Sequence, residues 1–184
     1  ANEQDFYIER KKRGVSMEKS LIMMAAKEQG NYSSQIVAAK INGEVRDIQT
    51  QFTDGDTISF IELDSPLGWK IYRRSVLFLL IAAVNRIDRS AEVIAKFTVN
   101  KGLYCEIKIP GREITPAFIA EVDRTMRAMI AENLPIIKHS VPREEAIERF
   151  QKLGRSGKVN LLSELSKPVI SIYTCEDYTD YLYG

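Results

Sequence analysis

Residues with reactive side chains are few in this 184-residue chain. His139 is the single histidine and follows Ile136-Ile137-Lys138. A catalytic imidazole needs a nucleophile and an orienting carboxylate beside it. The sequence gives no sign of either, so a hydrogen-bonded histidine at a strand end is expected. Cys105 and Cys175 form no CxxC pair, so no metal site is expected. A reactive thiol needs an electropositive, partly exposed setting. Arg74 could supply one for Cys105 if the two segments face each other, but the default reading is a small buried hydrophobe.

Gly154-Arg155-Ser156-Gly157-Lys158 has the composition of a phosphate-binding loop. Its spacing fails GxxxxGK[ST], because Lys152 stands at the first glycine position and Val159 follows Lys158. A loop between helices is expected there. The basic run Arg10-Lys11-Lys12-Arg13, with Lys70, Arg73 and Arg74, could touch phosphates, although charge also collects in solvated turns. Glu144, Glu145 and Glu148 suit the positive end of a helix dipole. Tyr173, Tyr178, Tyr181 and Tyr183 fit packing better than base stacking. No catalytic residue is assigned.

Composition sets the frame. Apolar residues make up 45% and charged residues 28%, with a net charge of +1. That describes a core-forming chain and argues against a strongly electrostatic nucleic-acid or membrane binder, while leaving room for local patches. The longest apolar run, Val76 to Val84, has nine residues, far short of the roughly 20 that span a bilayer. It reads as a buried helix. The polar N-terminus has no signal-peptide pattern, so a cytoplasmic protein with reduced thiols is expected. Both ends read as cut from a longer protein.

The elements that must position these residues follow from periodicity. Asp5 to Arg10 alternates as a strand, and Lys11 to Gly14 is a turn. Ser16 caps a helix from Met17 to Gln29, stopped by Gly30. Strands are expected at Ile36 to Ile41, Glu44 to Ile48 and Thr57 to Leu63. Asn42-Gly43 joins the first two as a type I′ hairpin. Asp64-Ser65-Pro66-Leu67-Gly68 reads as a linker. Beyond it come a helix from Trp69 to Arg86 and strands at Ala95 to Val99 and Leu103 to Ile109. A helix capped by Thr115-Pro116 runs to Glu132, and a short strand spans Ile136 to Ser140. Helices from Pro142 to Leu153 and from Lys158 to Leu165 precede a strand from Pro168 to Thr174. The fold class is α+β.

Strand, helix, hairpin and closing strand is a β-grasp order. Val37 to Asp47 with Asp54-Gly55-Asp56 resembles the TGS domain found in threonyl-tRNA synthetases, some GTPases and stringent-response enzymes. Arg74-Ser75-Val76-Leu77-Phe78-Leu79-Leu80 resembles the HSxxHLL-type helix of the threonyl- and alanyl-tRNA synthetase editing domain. Gly102 to Glu106, Pro142 to Phe150 and Asp177 to Gly184 resemble that domain's GFYYD-like strand, its xxEAxxxF helix and its EYVDxCxGPH ending.

The resemblance implies residues 1–63 as a TGS domain, 64–68 as linker and 69–184 as an editing-like domain. It also implies that the editing cluster is lost. Two histidines and a cysteine are replaced by Arg74, Phe78 and Leu182, and the fourth position lies past Gly184. The Arg-Ser-x-x-Phe helix and the Tyr-x-Tyr-Gly ending are most similar to uridine-kinase-type nucleoside kinases. In those proteins the same two domains precede a P-loop kinase domain that uses ATP and Mg. The expected function is therefore a non-catalytic regulatory, ligand- or RNA-binding module. Its expected partners are a following kinase domain and a nucleotide or RNA ligand. Candidate phosphate contacts are Arg10, Lys11, Lys12, Arg13, Arg73 and Arg74, with Cys105 beside them. A diverged threonyl-tRNA synthetase with residual hydrolysis of mischarged tRNA, or a stand-alone RNA-binding module, is the alternative.

Overall fold

A computed structural model describes residues 19–100 and 102–182. The Asp5 to Arg10 strand, the Lys11 to Gly14 turn and the Ser16 cap lie outside them. The chain divides into two compact units, one up to Arg73 and the other from Arg74 onward. Both mix helices with small antiparallel sheets, as an α+β chain should.

In the first unit, β1 (Lys19–Ser20) precedes α1 (Leu21–Glu28). The helix starts later than its periodicity suggests, because Lys19 and Ser20 pair with β4 (Gln51–Phe52). Gly30 does not stop it by a left-handed turn and lies in a 3-10 turn, Gln29–Asn31. The Gln29 side chain helps to close this end: Nε2 donates to the Ser34 carbonyl, and Oε1 accepts from the Ile36 N–H, each at 2.9 Å.

β2 (Ile36–Ile41) is central, flanked by β3 (Glu44–Arg46) and β5 (Ile58–Glu62). Asn42 and Gly43 both take positive φ, 52° and 85°, as a type I′ hairpin requires. Asn42 also ties the hairpin to the following turn. Its Nδ2 donates to Asp56 at 2.7 Å, and its Oδ1 accepts from the Thr57 N–H at 2.9 Å.

The expected linker is mostly helix, because α2 spans Pro66–Ile87. Ser65-Pro66 is a cap followed by proline at the first helical position, where its missing N–H is harmless. The Ser65 hydroxyl accepts from the Gly68 N–H at 3.0 Å and donates to the Glu62 carbonyl at 2.6 Å. That bond draws the helix start onto the end of β5. A Cβ at position 68 would sit 1.8 Å from the Glu62 carbonyl oxygen. Gly68 is therefore fixed by backbone approach rather than by a need for flexibility.

In the second unit, β6 (Glu92–Val99) and β7 (Gly102–Lys108) form a hairpin with a bulge at Ala95/Phe97. α3 (Pro116–Ala131) is capped by Thr115, whose hydroxyl accepts from the Phe118 N–H at 3.2 Å. A second sheet has the order β10-β9-β8. It contains β8 (Ile137–Pro142), β9 (Val169–Cys175) and β10 (Tyr178–Asp180). Between β8 and β9 lie α4 (Arg143–Lys152) and α5 (Ser156–Ser163). β10 was not foreseen as a strand. The run Val76 to Val84 is buried at Phe78, Ala82, Ala83 and Val84, but Val76 stays 37% exposed. It therefore has one open face and is not apolar-packed all round.

Gly68→Ala should cost about 3 kcal/mol, because a backbone oxygen cannot move aside as a side chain could. Gly30→Ala, with nothing within 4 Å of the added atom and no positive φ, should stay close to wild type. Urea melts of the two variants check both expectations.

Candidate functional site

α2 carries Arg74, Phe78 and Ala82 at four-residue spacing, so they share one face. Phe78 is fully buried. Its ring lies 5.6 Å from Tyr178 and 6.3 Å from Tyr173, both tilted. Leu182 belongs to the same core cluster, with Ala82, Ala83, Met129 and Cys175. The Arg74 guanidinium donates to the Leu182 carbonyl at 3.3 Å. The three positions singled out by resemblance thus converge, although residue 182 is 108 residues from Arg74 in sequence. An arginine bonded to a backbone carbonyl and two packed apolar side chains offer no general base and no metal ligand.

Beside them is a polar network that the sequence reading missed. Asp180 is 2% exposed. Its Oδ1 meets Lys158 Nζ at 2.9 Å and accepts from the Tyr181 N–H at 2.7 Å. Its Oδ2 accepts from the Tyr178 hydroxyl at 2.9 Å. Lys158 also donates to the Tyr181 carbonyl at 2.8 Å. Arg155 donates to the Thr179 carbonyl at 2.9 Å and to the Tyr178 hydroxyl at 3.1 Å. Its guanidinium lies 4.6 Å from the Tyr178 ring centroid.

The Gly154 to Lys158 segment therefore uses its cations to hold β10. With Lys158, a backbone N–H and a tyrosine on its two oxygens, Asp180 is satisfied as an acceptor rather than poised as a base. Burial pushes the Tyr178 hydroxyl well above the ordinary tyrosine range, and the neighbouring Asp180 charge adds to the effect. One signal was legible: a lone carboxylate inside Tyr178-Thr179-Asp180-Tyr181-Leu182 needs a partner if that apolar segment is buried.

A groove of about 930 Å³ opens beside this network. The end of α2, the first half of β6, the turn at Leu153 to Arg155, the start of α5 and β10 line it. Cys175 lies at a smaller recess of about 430 Å³ with Arg86, Arg89 and Met129. Burial raises the pKa of both cysteine thiols, and Glu176 raises that of Cys175 further. Neither is activated as a nucleophile. Cys105 is half-buried, and its thiol makes only a long contact with the Leu103 carbonyl, at 3.9 Å.

His139 lies inside β8 rather than at its end, with Nε2 2.8 Å from the Thr174 hydroxyl. Arg73 belongs to the first unit and Arg74 to the second. Arg10, Lys11, Lys12 and Arg13 lie outside the described residues. Among the described residues, no three His, Cys, Asp or Glu side chains form a group that could hold a metal. No described helix is long and apolar enough to cross a membrane.

No family model matches the chain. It is 31% identical to the threonine–tRNA ligase of Syntrophotalea carbinolica over 152 residues, 82% of this chain and 24% of that protein. Its homologues are threonyl-tRNA synthetases. Threonine–tRNA ligase 1 of Bacillus subtilis is 30% identical over 149 residues, 80% of this chain and 23% of that one. The ligase of Anoxybacillus flavithermus is 28% identical over 162 residues, covering 88% of this chain and 25% of that protein. The chain spans about a quarter of the length of these relatives. They support the synthetase-like part of the resemblance and give none to a uridine kinase.

Phe78→Ala should destabilise the protein by about 3–5 kcal/mol, the range for emptying a large aromatic core site, as read in a urea melt. The raised Tyr178 pKa gives a sign-definite pH dependence. Its folded value lies above its unfolded one, so its contribution is full below about pH 10 and falls as pH rises further. An alkaline titration of phenolate absorbance should show a late-ionising component that disappears in Tyr178→Phe.

Proposed function

We propose that the chain is a threonyl-tRNA synthetase-like N-terminal region whose hydrolytic centre has been replaced by packing. It works as a non-catalytic binding or positioning module for the remainder of its parent protein. The observation that carries this reading is the convergence of Phe78 and Leu182 in one core cluster, with Arg74 bonded to the Leu182 carbonyl. Phe78 and Leu182 pack there as apolar side chains, and the one histidine, His139, is engaged with the Thr174 hydroxyl.

The first unit is read as a TGS β-grasp domain. Its support is the Asn42-Gly43 hairpin, with β5 pairing on the other side of β2. Free Cys105 and Cys175 fit a reducing, cytoplasmic setting. The ligase relatives favour a parent of the synthetase type. A uridine-kinase-type parent is the second reading. It rests on the Arg74-Ser-x-x-Phe78 helix and the Tyr181 to Gly184 ending, and any ATP and Mg would belong to a domain outside this chain.

The test is deacylation. The 184-residue chain, incubated with mischarged tRNA, should release no amino acid above a protein-free control. Elemental analysis of the untagged protein should find no stoichiometric zinc. Phe78→His should lose stability and gain no activity, because its partners are absent. Turnover by the wild-type chain would establish the editing-fragment alternative instead.

A further inference from the structure

The odd positions of β6 read Val93, Ala95, Phe97 and Val99. An unbroken strand would turn all four to one face. Val93 is on the core side, packed with Ile107 opposite it against Val84, Ile109, Phe118 and Val122. The bulge breaks that order. Lys96 is the extra residue, and pairing resumes with Phe97 opposite Tyr104 and Val99 opposite Gly102. Phe97 and Val99 are thereby re-aimed to the outer face, with Ile94 and Tyr104. They are 58% and 55% exposed, and Tyr104 is 48% exposed. The Phe97 and Tyr104 rings stack with centroids 5.0 Å apart and planes at 18°. Cross-strand stacking steadies the hairpin, but it gives no reason to turn Val99 into water. Gly102 leaves a notch on the same face. Its backbone does not require glycine, since its φ is not positive and an added Cβ would meet only the Val99 carbonyl oxygen, at 3.4 Å.

We propose that this outer face is a self-association surface, on which a second copy of the chain packs about a two-fold axis. A two-fold contact needs both halves of every fit on one surface. Here Phe97, Val99 and Tyr104 stand beside the notch at Gly102, so each copy seats apolar side chains where the other has none. The charges suit the same partner. On this face Glu92 lies opposite Lys108, and Glu106 meets Lys96 at 3.1 Å and Lys108 at 3.7 Å. Lys101 lies between the strands in sequence. A border holding both signs lets the rotated copy set lysine against glutamate, whereas a partner of one sign would meet like charge. Exposed Ile22 and Met23 on α1 offer apolar area without such a fit. The surface is near the lower limit of specific interfaces, about 1,000 Å² in total, so the dimer is weak and concentration-dependent. It does not depend on the filled cleft or on the parent protein.

Sedimentation velocity of the 184-residue chain should show a reversible monomer–dimer equilibrium between about 1 and 200 µM, a span that brackets weak dissociation constants. Phe97→Glu and Tyr104→Glu should each raise the dissociation constant roughly tenfold or more, the scale of a large aromatic anchor at an interface. Gly102→Val discriminates a specific fit from mere stickiness. It adds apolar surface, so unspecific adhesion would tighten, but it fills the notch and should weaken the dimer several-fold. Met23→Glu, on α1, should leave association unchanged. Thermal melts at low concentration, where the monomer prevails, establish that each variant is folded. A chain that stays monomeric throughout overturns the proposal and leaves the face to a different partner. Open-ended growth in place of a dimer overturns the two-fold. Wild-type association in both Phe97→Glu and Tyr104→Glu, tighter association in Gly102→Val, or loss of association in Met23→Glu also overturns it.

Discussion

Asp180 is buried almost completely, and its two oxygens hold Lys158, the Tyr181 N–H and the Tyr178 hydroxyl. An unpaired carboxylate in that position would cost several kcal/mol. The aromatic segment that ends the described chain can therefore be buried only when the start of α5 is in place to supply Lys158. Arg155 adds a second tie from the same turn, to the Thr179 carbonyl. It also covers the Tyr178 ring, whose other contacts include Phe78 of α2. The packing around Phe78, the hairpin of β9 and β10, and the α4–α5 turn thus depend on one charge being satisfied.

This arrangement separates two things that occupy neighbouring positions. The polar network keeps the geometry of the region, and the apolar cluster determines what the region can do. Arg74, Phe78 and Leu182 meet where the resemblance puts a hydrolytic cluster, but their chemistry is dispersion and one hydrogen bond to a carbonyl. Burial pushes both thiol pKa values up, so neither thiol is activated as a nucleophile.

In the first unit the corresponding constraint is a backbone approach. Ser65 and Gly68 set the start of α2 against the Glu62 carbonyl. That holds the first turn of α2 at the end of β5.

The sequence by itself determined the α+β order and most elements of six or more residues. Their signals are local: alternation in β2, the positive-φ pair Asn42-Gly43, the Thr115-Pro116 cap and the glycine stop after α4. It also marked Arg74, Phe78 and Leu182 by resemblance. Short strands escaped it, because β1, β4 and β10 have two or three residues each and exist only through pairing across the sheet. The start of α2 was misread because Pro and Gly mark a helix start as readily as a linker, and the deciding contact is with Glu62. The roles of Arg155, Lys158 and Asp180 were decided only by tertiary structure. Their bonds join residues 22 to 24 positions apart, and no local pattern encodes which buried charge will meet which cation.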